Sequence, residues 1–453
     1  MNSQKPYLVK NQTELFLDYF LIKEMTDVQL QLHAPRREEI VWQNEKPWES
    51  MTSTYFTILH DGEKIRLYYR GYRDDIGCLA HSEDGIHFER PTLGLYEFEG
   101  STQNNIVYQG GEAHNFAPFL DSNPHTPAAE KFKSICGYPV LHTLASPDGV
   151  QWKRLREEPV ITQGAFDSQN VTFYDEVAKL YRCYSRVWTQ PDGTIATPGG
   201  EPVGVGVRAI QHCTSPNCLA WTQPQPLSYS PGAPIENFYT NAACPVPGAP
   251  HILVAFPMRF FEKRKKVEEH FEPGISDTVF MSSRDGQFWN RDFSQAWVRP
   301  GLDRRNWTDR SNMTASGLIQ TSPEEYSCYI TEHYRWNDNR LRRYSIRKDG
   351  FASIQAKRQT GTVLTKPLLL DGETLFLNYS TSAAGFVQVE ICDVAGKPIE
   401  PFTLAHMPLL YGDEIQHRVQ WQGSPSLTTL KGKEVRLKFV MSDADIYSFR
   451  VGM

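Results

Sequence analysis

Four carboxylates stand in short polar segments placed directly ahead of apolar runs: Glu49 in WES (Trp48 to Ser50), Asp167 in AFDSQN (Ala165 to Asn170), Glu236 in IENFYTN (Ile235 to Asn241) and Asp309 in TDRSN (Thr308 to Asn312). Hydrolysis of a glycosidic bond asks for such groups in pairs. One acid protonates the leaving oxygen while a second attacks the sugar or activates water. A fifth segment, AHN (Ala113 to Asn115), carries His114 and Asn115 where a carboxylate is expected, and reads as a pair that binds hydroxyls. Gln169, Asn170, Tyr239 and Asn241 flank the carboxylates, and Arg70, Arg186, Arg259, His333 and Arg335 stand at the ends of following strands. Forked donors of this kind pair with sugar hydroxyls and acidic groups, so several arginines facing one cavity point to a uronate or a sulfated sugar. Trp48, Trp188, Tyr239, Trp307 and Trp336 are candidate platforms for a sugar ring, with packing between sheets as the competing role.

Residues so far apart in the chain need a frame that returns them to one place, and the sequence contains a repeat able to do so. The phrases HSEDGIHF, ASPDGVQW, TSPNCLAW and SSRDGQFW, aligned on Ser82, Ser146, Ser215 and Ser283, recur 64, 69 and 68 residues apart. RKDGFAS, aligned on Arg347, is a weaker fifth copy. Each Asp-Gly pair is a turn after an apolar run, and in three of the copies an aromatic follows the Gly by three residues and can cover it. Between copies lie two more alternating runs, as in STYFTILHDGEKIRLYYRGY. Small antiparallel sheets that cannot bury both faces alone are stable when arranged radially. The expected fold is therefore all-β, with residues 1–355 as a five-bladed β-propeller whose inner strands bring the polar segments to one central cavity. The run from Glu14 to Met25 is expected to supply an outer strand that closes the ring. Beyond the last copy, short alternating strands between Gly, Pro and Asp turns predict a β-sandwich over 356–453.

Composition narrows the function by exclusion. A net charge of −6 without a basic stripe argues against nucleic acid and anionic membranes as partners. The eight cysteines sit singly in apparent strands, apart from Cys213 and Cys218, and read as buried thiols. No cluster has the spacing of a metal site, so no metal and no cofactor is expected. Residues 1–10 lack the apolar core of a signal peptide, which reads as a soluble, cytoplasmic chain, secreted or periplasmic if a leader precedes it.

The phrases KPWES, HNFAPFLD, GAFDSQNV, NFYTNA, GISDTVFMSSRDG and LYGDEIQHRVQW resemble those of bacterial proteins of the family 32 type, and the architecture resembles the propeller glycoside hydrolases of families 32 and 43. The resemblance implies a glycoside hydrolase that acts on an oligosaccharide, exo-acting, with no partner but its substrate. By chain order it implies Glu236 as the acid, Asp167 as nucleophile or tuning carboxylate and Glu49 as the remaining carboxylate. His114, Asn115, Gln169, Asn170, Tyr239, Asn241, Arg259, Asp309, His333 and Arg335 are then expected to contact substrate. The family 32 motifs W-[MI]-N-D-P-N-G, R-D-P and E-C are not intact: Trp48-Glu49 occupies the place of the first, Asp167 stands in FDSQ, and Glu236-Asn237 replaces the last. That departure keeps open a non-catalytic carbohydrate-binding propeller or a propeller-type glycoside phosphorylase.

Overall fold

The computed structural model describes residues 5–196 and 206–452. It divides into two compact units: Pro35–Ser345, and a second made from both ends of the chain, Met1–Ala34 with Ile346–Met453. Both are β structures. The helical elements among the described residues are short 3-10 turns, and none is long and apolar enough to cross a membrane.

Alternating β-branched and aromatic residues give the Pro35–Ser345 unit its strands, and the turns between them are tied by side chains. Thr54–His60, Ile65–Arg70, Ile76–Ser82 and Ile106–Gln109 form a four-stranded antiparallel sheet in chain order. Phe119–Leu120, Phe132–Cys136, His142–Ser146 and Lys153–Arg154 form a second sheet. Val171–Asp175, Leu180–Thr189, Val207–Ser215 and Gln225–Pro226 form a third. Next come Cys244–Val246, Ala249–Ala255 and Met281–Ser283, accompanied by the pair Met258–Phe261 and Ile275–Thr278. A last sheet joins Met313–Thr314, Glu325–Glu332, Arg340–Arg347 and, from the start of the unit, Arg36–Gln43.

The repeated phrase stitches each sheet to the one before it. In the first copy, Gly85 N donates to Ser82 Oγ (2.9 Å), and the amides of Ile86 and His87 both donate to Asp84 Oδ1 (2.8 Å). The same pattern recurs around Ser146 and Asp148 and around Ser283 and Asp285. The carbonyl at the tip of each turn then accepts from the preceding sheet. Tyr68 Oη donates to Gly149 O (2.9 Å), Thr143 Oγ1 to Cys218 O (2.8 Å) and Tyr184 Oη to Gly286 O (2.9 Å). Tyr329 Oη, from the last sheet, donates to Gly85 O in the first (2.8 Å), so the first phrase is held by the last sheet in the same way. Three of these tips are glycine, and at Gly149 φ is +73° and a Cβ would lie 2.5 Å from the Tyr68 hydroxyl, while the fourth is Cys218, which adopts φ 64°. All eight cysteines are free and buried.

The second unit has a ten-stranded sheet whose longest members, Thr374–Cys392 and Glu434–Gly452, pair antiparallel. Its core gathers Phe16, Leu375, Val389, Phe439 and Phe449 among others. The N-terminal run departs from expectation. Thr13–Leu15 pairs with Glu434–Gly452 and Ile22–Thr26 with Gly361–Thr365, while the closing strand of the other unit is Arg36–Gln43. The reason is burial: Phe16 packs on the rings of Phe439 and Phe449, whereas Arg36–Gln43 keeps its polar side chains at a sheet edge and buries Val41 and Trp42. The boundary shifts accordingly from residue 355 to Ser345, and Ala352–Ala356 belongs to the second unit's sheet. The fifth copy of the phrase also lies in that unit, where Asp349 accepts from Ser448 Oγ (3.1 Å).

Candidate functional site

The segment from Ala165 to Asn170 is held from several sides before its strand begins. Asn115 Nδ2 donates to the carbonyls of Gly137 (2.9 Å) and Phe166, and Asn115 Oδ1 accepts from Gly137 N (2.7 Å). Ser168 Oγ donates to Tyr239 O. Gln169 Nε2 reaches Tyr55 O (3.1 Å), Phe56 O (3.0 Å) and Thr57 Oγ1 (3.0 Å) in the first sheet. Tyr55 Oη closes the frame by donating to Asp167 O (3.0 Å). With its backbone fixed in this way, Asp167 presents a carboxylate that is 32% exposed to its ion-pair partner Arg186, whose side chain is only 4% exposed.

Arg186 opens onto a cluster of phenols and guanidinium groups. Its Cζ lies 5.3 Å from the ring centre of Tyr239, and Arg310 lies 5.4 Å from the same ring. Arg310 Nη1 donates to Tyr239 Oη (3.0 Å), while its Nε and Nη2 fork onto both oxygens of Asp309 (2.8 to 2.9 Å). Arg335 Nη1 lies 3.2 Å from Asp309 Oδ2 and 3.2 Å from Glu272 Oε1. Arg70 lies 4.6 Å over the ring of Tyr55 and donates to Thr52 O (3.0 Å) and His114 O (3.4 Å).

This setting separates the two phenols. Burial pushes Tyr55 well above its ordinary value, with Tyr239 adding to the effect. Burial also opposes ionisation of Tyr239, but the charges of Arg310 and Arg186 and the hydrogen bond from Arg310 outweigh it and bring Tyr239 down to about 8. Burial likewise holds Arg186 below its ordinary value. The backbone is strained here as well: Tyr55 (φ 54°), Ala242 (45°), Arg310 (51°), Asn312 (66°), His333 (57°) and Arg335 (63°) all adopt left-handed conformations, each at a cost of about 1 to 3 kcal/mol.

The paired carboxylates expected from the sequence are not brought together. Glu49 is enclosed within the first sheet's own loop and accepts from Glu45 N (2.8 Å), Lys46 N (3.0 Å), Tyr69 Oη (2.6 Å) and Arg90 Nε (2.9 Å), which leaves no lone pair for a substrate. Glu236 is clamped between Arg259 Nη1 (2.8 Å) and Arg291 Nη2, and Arg259 spends its other donors on Asp277 (2.7 and 2.8 Å). Glu236 and Arg259 therefore form a closed ion network rather than an acid and a sugar clamp. Asn115 and Gln169 are the backbone ties described above, and Asn241 donates to Tyr184 O (3.3 Å) and accepts from Ala243 N (3.1 Å). Asn115 and Asn241 use both amide atoms in these ties, whereas Gln169 Oε1 is buried without a hydrogen-bond partner among the described residues.

His333 is also committed, with Nδ1 at 2.8 Å from Asp338 and Nε2 at 2.8 Å from Asp303. Asp303, Glu332 and His333 offer atoms close enough to share a cation, but Glu332 already accepts from Arg37, Arg340 and Arg342. Asp309, Tyr239 and Arg335 do join the central cluster, and the ring of His114 lies beside it between Tyr55 and Tyr138. Asn170 is buried with neither amide atom hydrogen-bonded among the described residues.

No protein-family model and no curated protein matches the sequence. Among solved structures, the chain is similar to a thermostable family-43 glycoside hydrolase at 11% identity and a TM-score of 0.44, over 68% of this chain and 95% of that one. It is similar to a glycosyl hydrolase from Bacteroides ovatus at 10% identity and a TM-score of 0.43, over 74% and 96%. A family 32 β-fructofuranosidase from Bombyx mori, solved with sucrose, matches at 9% identity and a TM-score of 0.39, over 93% of each chain. Superposition this loose decides nothing about the reaction.

Two members of the cluster escape a reading of the sequence. Tyr55 sits at the start of an apolar strand, STYFTIL, where an aromatic looks like core, and Arg310 follows the more conspicuous Asp309 in TDRSN. The usable signal was their position: both stand at the entry of a strand that opens a sheet, as Asp167 does.

Proposed function

We propose that the chain is a glycoside hydrolase, exo-acting on an oligosaccharide. In this reading Pro35–Ser345 is a five-bladed β-propeller with Asp167 at the mouth of its central cavity, and the second unit is a β-sandwich. One observation carries it: of the carboxylates nominated for catalysis, Asp167 alone combines solvent access with a backbone pinned by neighbouring sheets. Asp167 and Tyr239 divide the work. The Asp167 carboxylate takes a proton from water as its oxygen attacks the anomeric carbon, the bond to the leaving oxygen breaks, and that oxygen takes the Tyr239 proton. Solvent then returns a proton from Asp167 to the Tyr239 phenolate. A phenol brought down to about 8 is still protonated at neutral pH and is a stronger acid than an ordinary tyrosine.

A saccharide-binding propeller without turnover is the second reading, favoured by the ion pair that Asp167 makes with Arg186. The test is released reducing sugar from aryl glycosides and plant or algal oligosaccharides. Asp167→Asn is expected to abolish release while Glu236→Gln keeps the specific activity of the folded protein. Full turnover by Asp167→Asn on a substrate that the wild type cleaves would overturn the assignment.

A further inference from the structure

We infer that Cys183 and Cys213 form an oxidative modification site: a small-molecule disulfide closes a cross-strand bond between them, which staples the third sheet of the Pro35–Ser345 unit independently of any reaction at Asp167.

The strand register carries this inference. Leu180–Thr189 and Val207–Ser215 run antiparallel with Cys183 directly opposite Cys213, between the pairs Arg182 with Thr214 and Tyr184 with His212. Residues so placed point to the same face of the sheet, with Cα atoms about 4.5 to 5.5 Å apart. A disulfide spans Cα separations of about 4.4 to 6.8 Å, so the bond asks for rotation of two side chains and leaves the ladder as it is. Both thiols are free, and both belong to one apolar cluster with Phe119, Ile135, Phe166 and Tyr181. At 0% and 2% exposure they are shielded, so a bond once closed is protected from thiols in solution.

A third thiol, Cys218, lies in the same cluster. It occupies the turn position that Gly85, Gly149 and Gly286 hold in the other copies of the phrase, with φ 64°, and its carbonyl accepts from Thr143 Oγ1 (2.8 Å). That tie to the second sheet fixes the turn, whereas Cys183 and Cys213 are already aligned by the ladder. Register therefore selects Cys213 over Cys218 as the partner of Cys183.

Burial sets when the bond can close. The Cys183 thiol beside it, together with burial, holds Cys213 above an ordinary thiol, and burial holds Cys218 well above one. A thiol kept protonated does not attack, so exchange is slow in the closed fold and proceeds when the strand pair opens locally. One cysteine then loses its proton and attacks the small disulfide, forming a mixed disulfide and releasing a small thiolate that takes up a proton. The second cysteine, deprotonated in turn, attacks the protein-bound sulfur and releases the other small thiolate, which is protonated likewise. Two electrons pass from the cysteine pair to the small disulfide, which leaves as two thiols. The closed bond fixes the register of the strand that carries Arg186, the partner of Asp167.

The test is incubation of the full chain with oxidised glutathione at a series of urea concentrations below its unfolding midpoint. Remaining thiols are then alkylated, and the peptides are mapped without reduction. One pair of peptides joined through Cys183 and Cys213 is expected, with the other cysteines of the eight alkylated. The linked chain should unfold at a higher urea concentration than the reduced chain, because the bond restricts the unfolded state while the native register accepts it, and dithiothreitol should reverse the shift. Cys183→Ser and Cys213→Ser should each abolish the link and the shift, whereas Cys218→Gly should keep both. Should a serine variant fold poorly, the wild-type peptide map decides alone. Alkylation of all eight cysteines at every urea concentration overturns the inference, as does a link from either cysteine to Cys218 in place of the expected one. A linked chain that unfolds at a lower urea concentration than the reduced chain also overturns it, since the native strands would then not accommodate the bond.

Discussion

Around Glu236, Arg259 and Arg291 each take one carboxylate oxygen, and Arg259 turns its other donors to Asp277, so each charge is answered by a neighbour. Around Asp167 the same residue types stop short. Arg186 keeps a donor unpaired, Asp167 faces solvent on one side, and a phenol with a depressed pKa sits between two arginines. The contrast is between a closed ion network and one that leaves a buried donor unpaired. Satisfaction of buried donors and acceptors, rather than residue type, tells them apart.

The largest effect that could break this comparison is catalytic. Asp167→Asn should lower turnover by about 10²- to 10⁴-fold, the range for loss of a group that transfers protons, with initial rates as the measurement. An equal loss in Glu236→Gln, per folded molecule, would mean that the closed network is the working one. In the expected case Glu236→Gln instead leaves two guanidinium groups facing each other. It should destabilise the protein by about 3 kcal/mol, read from urea unfolding of the wild type and variant.

A smaller loss tests the stitching that frames both regions. Gly149→Ala places a Cβ 2.5 Å from the Tyr68 hydroxyl at φ +73°, and should cost about 1 to 3 kcal/mol in the same unfolding assay. Tyr239 sharpens the comparison through pH. The groups that face it are Arg310, Arg186 and Tyr55, with Asp309 behind Arg310. Its folded value lies below that of a free tyrosine, so ionisation is favoured in the fold, and the phenolate has no proton to give a leaving oxygen. In the proposed reading turnover should therefore hold below about pH 8 and fall as pH rises through that value, and Tyr239→Phe should remove that dependence together with most of the rate. At the bottom of the scale, Arg304 and Glu269 form an exposed pair with side chains 64% and 53% accessible. Arg304→Ala should change stability by less than about 0.5 kcal/mol.

Much of the frame was legible beforehand. The Ser-x-Asp-Gly phrase marks its turns because Ser and Asp side chains bind the amides that follow, a local interaction that depends only on nearby residues. The placement of Glu14 to Met25 was not legible, since an apolar strand pairs wherever its face can be buried, and Phe439 and Phe449 lie more than four hundred residues away. The place of Asp167 in a polar segment just ahead of the strand Val171–Asp175 was legible from the apolar run that follows it. The fates of Glu49 and Glu236 were not, because each depends on an arginine that arrives from a distant segment.

The sequence by itself determined the all-β character, the repeat with its turns, and a set of polar residues gathered at strand entries, since all of these follow from periodicity and short-range hydrogen bonding. Only the tertiary structure decided which carboxylate stays open, which are closed by Arg90, Arg259 and Arg291, and which phenols share the cations. The physical reason is that the burial and pairing of a charge are set by neighbours across the fold, and adjacency in the chain carries no record of them.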